Sequence, residues 1–372
     1  MKVTFPRMGT LEIPLRAFFN TLGIKVIVPP PITDKTISLG ARYAPEFACL
    51  PLKINVGNYL EAYEMGANTI LMAGGIGPCR FGYYAQVQQE ILADLGVNYQ
   101  MVLLEPPRGH LWETLGRLWE LTGRASPARI FRAGRLTWAK LKLLDELERL
   151  TAKSRCREKN RGQVGGVYRR ALAWIDAAAT LKELARAEGK IKGAFGALEL
   201  KAGTPLRVGL VGEIYTVLEP AANLYLEKFL GELGVEVERG IYLSDWVTSH
   251  LFLDTLRLRR EQRAVEKLAQ PYLGHSVGGH GLESIGHSIQ YARRGFAGVI
   301  HIGPLTCMPE IVAKTILPVV SREWDIPILS LFLDEHTGEA GIHTRLEAFV
   351  EMLRARNSFN QQLSLPGPAH SR

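Results

Sequence analysis

The stretch Thr69-Ile-Leu-Met-Ala-Gly-Gly-Ile-Gly-Pro-Cys79 decides the fold: a short buried-type run, a glycine-proline turn, a cysteine, then a helical pattern from Tyr83 to Leu95. The same order returns at Gly298-Val-Ile-His-Ile-Gly-Pro-Leu-Thr-Cys307, with a helical pattern from Pro309 to Ser321. An apolar run that breaks at a turn and opens a helix reads as strand, turn, helix. Each cysteine follows an Ile-Gly-Pro turn, so each thiol is expected beyond the carboxyl end of a parallel strand, where open α/β sheets place ligands.

Outward from the first stretch the alternation continues. Runs at Lys2 to Phe5, Ile24 to Pro29 and Tyr99 to Leu104 read as strands, and Ile13 to Leu22 and Lys53 to Met65 as helices, with Gly23, Gly66 and Gly96 as helix stops. Around the second stretch, strands are expected at Leu206 to Val211, Val235 to Glu238 and Pro327 to Leu333, and helices at Glu219 to Leu233, Glu283 to Arg293 and Thr344 to Arg354. Between them, patterns such as Leu141-Lys-Leu-Leu-Asp-Glu-Leu-Glu-Arg-Leu150 are helical. The expected organisation is α/β: an N-terminal parallel-sheet domain over 1–107, a helical segment over 108–203, a second parallel-sheet domain over 204–356 and a loose tail over 357–372.

The chain has 372 residues, 47% of them hydrophobic, enough for two cores. The start, Met1-Lys2-Val3-Thr4-Phe5-Pro6, lacks the apolar stretch of a secretory signal, and no run reaches membrane-span length, so a soluble, cytoplasmic protein is expected. A net charge of +8 fits a polyanionic or acidic partner. No aromatic-interleaved basic motif, finger spacing or helix-turn-helix accompanies it, which argues against nucleic acid.

Four cysteines occur, none as C-x-x-C, so a metal site has to be assembled by folding. Cys49 lies in Tyr43-Ala-Pro-Glu-Phe-Ala-Cys49-Leu-Pro51, again just before a helix. Three thiols at helix N-termini, where the helix end favours thiolate, suggest ligands for a soft metal centre. Cys156, in Lys153-Ser-Arg-Cys156-Arg-Glu-Lys159, reads as an exposed bystander. Free cysteines packed as small hydrophobes are the plain alternative, and a zinc site completed by His275, His280 or His301 is another.

Two further patches carry chemistry. The loop Gly274-His-Ser-Val-Gly-Gly-His-Gly-Leu-Glu-Ser284 opens a helix, and Gly279, His280 and Gly281 are placed to present backbone N–H groups to a phosphate or to cluster sulfurs. Arg80, next to Cys79, is placed to offset cluster charge or orient an anion. In Asp334-Glu-His-Thr-Gly-Glu-Ala-Gly-Ile-His343-Thr-Arg345, after another strand, Glu335, His336 and Glu339 are candidate proton donors to a reduced substrate. Tight-turn glycines, helix caps and solvated charge are the simpler readings of both patches.

The strings Tyr43-Ala-Pro-Glu-Phe-Ala-Cys49-Leu-Pro-Leu-Lys53, Met72-Ala-Gly-Gly-Ile-Gly-Pro-Cys79-Arg-Phe-Gly-Tyr-Tyr84, Gly274 to Gly281, Cys307-Met-Pro-Glu310 and Asp334-Glu-His-Thr-Gly-Glu339 resemble a family associated with CoA-enzyme activases. That family is similar to the cluster-bearing subunits of 2-hydroxyacyl-CoA dehydratases and benzoyl-CoA reductases and to double-cubane cluster proteins. The resemblance spans nearly all of residues 1–355. It implies two flavodoxin-like (Rossmann-type) domains and one 4Fe-4S cluster per chain on Cys49, Cys79 and Cys307, with one iron left without a protein sulfur. It also implies a partner: a dimeric, ATP-dependent 4Fe-4S activase that injects a low-potential electron, which in the dehydratases reduces a CoA thioester to a ketyl radical. A homodimer, or a heterodimer with a related subunit, goes with it, as does an acyl-CoA or other small-molecule substrate. Too few cysteines occur for a double cubane within one chain, and no Walker-type loop is present, so the ATPase would be the partner. An iron-sulfur carrier or scaffold, and a zinc-stabilised binding protein, are the other two functions kept open.

Overall fold

The computed structural model of the chain describes residues 1–74, 79–104, 116, 119–248 and 260–364. The Ile76-Gly-Pro turn before Cys79 and the start of the expected helical segment at Arg108 lie outside the described residues.

The architecture is α/β with two four-stranded, all-parallel sheets. Strands β1 (Lys2–Thr4), β2 (Lys25–Val26), β3 (Thr69–Ala73) and β4 (Gln100–Leu104) form the first, in the order β2-β1-β3-β4. Strands β5 (Leu206–Gly212), β6 (Val235–Arg239), β7 (Gly298–Pro304) and β8 (Ile328–Leu333) repeat that order as β6-β5-β7-β8. In each sheet the winding reverses beside the first strand, between β1 and β3 and between β5 and β7. Such switch points open a crevice at the carboxyl ends of the strands. β3 runs toward Cys79 and β7 toward Cys307, as the repeated motif suggests. The central strand β7 is buried throughout, which its unbroken Gly298-Val-Ile-His-Ile run requires.

Among the described residues, the helices Pro127–Arg155, Gln163–Ala177 and Leu181–Gly196 make up most of the segment between the sheets. Leu144, Leu147, Val164, Ala171 and Ile175 form its own core, which also takes in Ile13 from the first domain. Its link to the second sheet is both apolar, through Leu141 in the core of that domain, and polar: Asp145 accepts the Ser244 N–H at 2.9 Å, and Glu148 pairs with the buried Arg239 at 2.6 Å. The two sheet domains share apolar packing. Ile32, Leu50 and Ile54 sit in one cluster with Val208, Leu210, Leu331 and Leu333. Among the described residues no helix is long and apolar enough to cross a membrane.

Several elements differ from the sequence reading, among them helices at Leu243–Val247 and Arg260–Ala269 that it does not contain. The helix expected over Glu219 to Leu233 forms only as Leu226–Glu232, behind a separate Ile214–Leu218 helix. Pro220 and the left-handed backbone at Leu224 and Tyr225 (φ 56 and 55) break it, and the Asn223 side chain takes over the hydrogen bonding, reaching Thr216 O at 2.9 Å and Leu226 N at 3.2 Å. The Asp34–Tyr43 helix was not expected; it is set by glycines more than by an apolar stripe. A Cβ on Gly40 would meet Lys53 O at 1.7 Å and one on Gly57 would meet Thr36 O at 2.0 Å, so this helix and Leu50–Glu64 cross backbone to backbone. The closing helix spans Glu339–Ser364, so the tail is helical past Asn357, and residues 365–372 lie outside the described ones.

Candidate metal centre

Each of the three cysteines caps a helix. Cys49 precedes Leu50–Glu64, Cys79 precedes the short 3-10 turn Arg80–Tyr83, and Cys307 precedes Met308–Glu323. All three have extended backbone, so the chain leaves loop or strand and enters the helix at the cysteine itself. Pro51 and Pro309 sit in the first turns, where a missing N–H costs nothing. The thiols are free and half-buried.

They are also near one another. Charge on Cys79 bears on Cys49, and charge on Cys49 bears on Cys307. Arg80 ties the loops together, donating to Phe47 O at 3.4 Å in the Cys49 loop and to Thr306 O beside Cys307. Cys49 Sγ hydrogen-bonds Tyr84 Oη. The glycine loop closes the other side: a Cβ on Gly279 would lie 3.0 Å from Pro309 Cγ and 4.0 Å from Cys79 Sγ, and one on Gly281 would lie 2.4 Å from Pro309 O. Gly281 therefore admits no side chain against the Cys307 helix, and Gly279 lies between that helix and Cys79.

The thiols are not tuned toward thiolate, contrary to the expectation drawn from their helix N-termini. Burial pushes Cys49 up to about 12, helped by the Glu213 carboxylate and opposed by the Leu52 N–H and Arg80. Cys79 is raised by burial first, then by Glu213 and Glu310 against the Phe81 N–H and Arg80. Cys307 is raised further, by burial, Glu310, Glu213 and Cys49. One helix end contributes less than desolvation and two carboxylates remove. The neighbouring N–H groups oppose the rise without closing a side-chain cap.

Glu213 and Glu310 were not singled out from the sequence. Glu213 stands at the carboxyl end of β5, across the switch point from Cys307, with its N–H on Ile302 O at 3.1 Å. Gly212 before it has φ 142, and a Cβ there would strike Ile302 O at 1.7 Å. The position after a strand end, the rule that found the cysteines, would have found Glu213 as well. Glu310 carried its signal in Cys307-Met-Pro-Glu310, three residues past a ligand candidate.

Of the proposed proton donors, only Glu335 reaches the interior. Its carboxylate pairs with Lys53 Nζ, which is 3% exposed and also donates to Glu46 O at 2.9 Å. Glu335 lines a cavity of about 300 Å³ between the domains, with Asp34, Ser38, Leu50, Ala222, Asp334 and Thr337. His336 is 86% exposed, and Glu339 is 62% exposed and faces His343 at 3.5 Å. Structure thus separates the trio. His280 caps the Gly281–Arg293 helix and acts electrostatically on Glu213. Among the zinc candidates, His301 is fully buried and engaged at both nitrogens, by Ser330 Oγ at 3.1 Å and Glu310 Oε2 at 2.9 Å. Cys156, expected to be exposed, is 8% exposed, its thiol turned back onto Lys153 O at 3.3 Å within the helical segment. Among the described residues no three His, Cys, Asp or Glu side chains close on a single metal ion.

Fold and site define a parallel α/β protein of two four-stranded sheets with three half-buried thiols at helix N-termini. No family model matches the chain, and no curated protein matches it.

Proposed function

We propose that Cys49, Cys79 and Cys307 hold one 4Fe-4S cluster, and that the chain accepts low-potential electrons from an ATP-hydrolysing iron-sulfur partner and passes them to a substrate beside that centre. The observation that carries this reading is the convergence of three free thiols from three helix N-termini of two domains, while Cys156 stays apart. Cysteines buried only as small hydrophobes have no reason to collect. The donor set suits the group, because thiolates ligate iron-sulfur clusters.

When bound, the cluster supplies one-electron storage and an iron open to a further ligand. The chain's own residues supply the setting. Arg80 holds two cysteine loops in register and offsets negative charge. Lys53 and Glu335 lock the domains over the cavity, whose lining includes the residue that follows Cys49. That cavity favours an enzyme component over a bare carrier. Asp34, Asp334 and Glu335 line it, which suits a small polar or cationic molecule better than the phosphates of coenzyme A. Phe47, Tyr83, Leu305, Met308 and Ile311 are exposed around the thiols and offer an apolar rim to an electron donor. Docking there should persist as salt is raised, since screening acts on charges and not on apolar contact.

The test is electron acceptance. Protein prepared without oxygen should be brown, bleach with dithionite and recover its colour on mild reoxidation. A colourless protein, or one whose spectrum ignores dithionite, would overturn the reading.

A further inference from the structure

Glu310 is a residue whose burial calls for a reason. It lies in the first turn of the Cys307 helix and is 0% exposed. Its Oε2 accepts from Ser284 Oγ at 2.9 Å and pairs with His301 Nε2 at 2.9 Å, whereas its Oε1 is buried with no hydrogen-bond partner. A buried oxygen left bare costs about 1–3 kcal/mol, more if ionised. Packing does not explain it: Gly303 of β7 lies against this side chain, a Cβ there meeting Glu310 Cβ at 3.1 Å. The fold thus makes room for a carboxylate where a leucine would fit without the penalty.

Glu213 holds the matching position across the switch point. It leaves β5 as Cys307 leaves β7, and the two strands pair at Gly212 and Ile302. Its carboxylate accepts from Tyr215 N at 3.0 Å, Thr216 N at 2.9 Å and Thr216 Oγ1 at 2.8 Å; burial raises its pKa, and these hydrogen bonds, then His280, favour the charged form against that rise. Its charge bears on Cys49, Cys79 and Cys307 alike, and that of Glu310 on Cys79 and Cys307. Arg80, which the thiols also feel, is an exposed side chain open to solvent screening.

We propose, resting on the reading that the three thiols hold a cluster, that Glu310 and Glu213 are potential-setting residues: two carboxylates beside the centre that disfavour an added electron and hold its reduction potential low. The step concerned is a one-electron transfer. The donor loses one electron, the centre gains it, and no bond is made or broken. Net charge and hydrogen bonding around a cluster are among the protein's levers on its potential. The consequence is selectivity: a donor of ordinary potential leaves the centre oxidised, and only a strongly reducing one charges it.

Glutamine is the diagnostic replacement, because it removes the charge while its amide oxygen still accepts from Thr216 at position 213, with loss of the Tyr215 bond, or from the Ser284 hydroxyl at position 310. The midpoint potential would be read by anaerobic redox titration with electron paramagnetic resonance in iron-loaded wild type, Glu213→Gln, Glu310→Gln, Glu310→Asp and Glu188→Gln. Glu188 pairs with Lys192 on the exposed side of the helical segment and serves as control. At wild-type iron and sulfide content, Glu213→Gln and Glu310→Gln should each shift the midpoint toward positive values. Glu310→Asp and Glu188→Gln should stay near wild type. Wild-type midpoints in both glutamine variants would overturn the inference alone; should Glu310→Gln fail to load iron, Glu213→Gln decides it by the same criterion. A wild-type chain that takes up no iron overturns the underlying reading and this inference with it.

Discussion

A buried titratable side chain reports on its surroundings through pH. His287 lies under Gly240, donates from Nδ1 to Gln290 Oε1 at 3.2 Å, and burial lowers its pKa from 6.5 to about 4. The folded chain keeps it neutral, while the unfolded chain takes up a proton as pH falls through 6.5. Stability should therefore be lost between pH 6.5 and 4, by up to about 3 kcal/mol from this residue. Thermal unfolding of wild type and His287→Gln across that range should show the wild type losing more. Cys156→Ala should cost about 1 kcal/mol for the buried volume removed and leave metal content unchanged. The cysteines were legible in the sequence because each follows a strand or loop end and opens a helix. Glu213 and Glu310 left weaker signals, a strand-end position and a place three residues past Cys307, which as text are also an ordinary helix cap and an ordinary first-turn acid. Only the register of β5 against β7 and the burial behind Cys307 give them a role.

Among the elements, the glycine loop and the Cys307 helix depend most on each other. A methyl at Gly281 would press on Pro309 O at 2.4 Å, so Gly281→Ala has to push the Gly281–Arg293 helix away from the Met308–Glu323 helix. We expect a loss of about 2 kcal/mol in chemical denaturation and faster iron release to a chelator; unchanged release would mean the loop plays no part in holding the centre. The strand positions were legible because parallel strands buried on both faces show as unbroken apolar runs. The Asp34–Tyr43 helix was hidden because glycine contacts, which have no periodicity, set its packing. The broken helix before Leu226 was hidden because Leu, Tyr and Asn at 223–226 suit a helix in sequence, and Pro220 with a left-handed pair at 224 and 225 prevents it.

For the whole molecule, the two domains form one site only if they stay in register. Lys53 and Glu335 meet across the boundary at 3% and 14% exposure. Removing one partner of such a pair strands a buried charge, so Lys53→Met and Glu335→Leu should each cost about 3 kcal/mol, and the double variant clearly less than their sum. Additive losses in a denaturation cycle would mean the two do not act as a pair. The doubled parallel architecture could be read from the sequence, since the strand, Ile-Gly-Pro turn and helix occur twice. The shared packing of Ile32, Leu50 and Ile54 with the second sheet could not, since periodicity within a segment says nothing about which domain its apolar face meets.

The measurement that bears most directly on the three-thiol centre is iron and acid-labile sulfide per chain in protein purified without oxygen, for wild type and for Cys49→Ala, Cys79→Ala, Cys307→Ala and Cys156→Ala. About four irons and four sulfides in wild type and Cys156→Ala, with loss in each of the other three, is the predicted result. Equal iron in all five proteins, or one zinc and no sulfide in wild type, would contradict it.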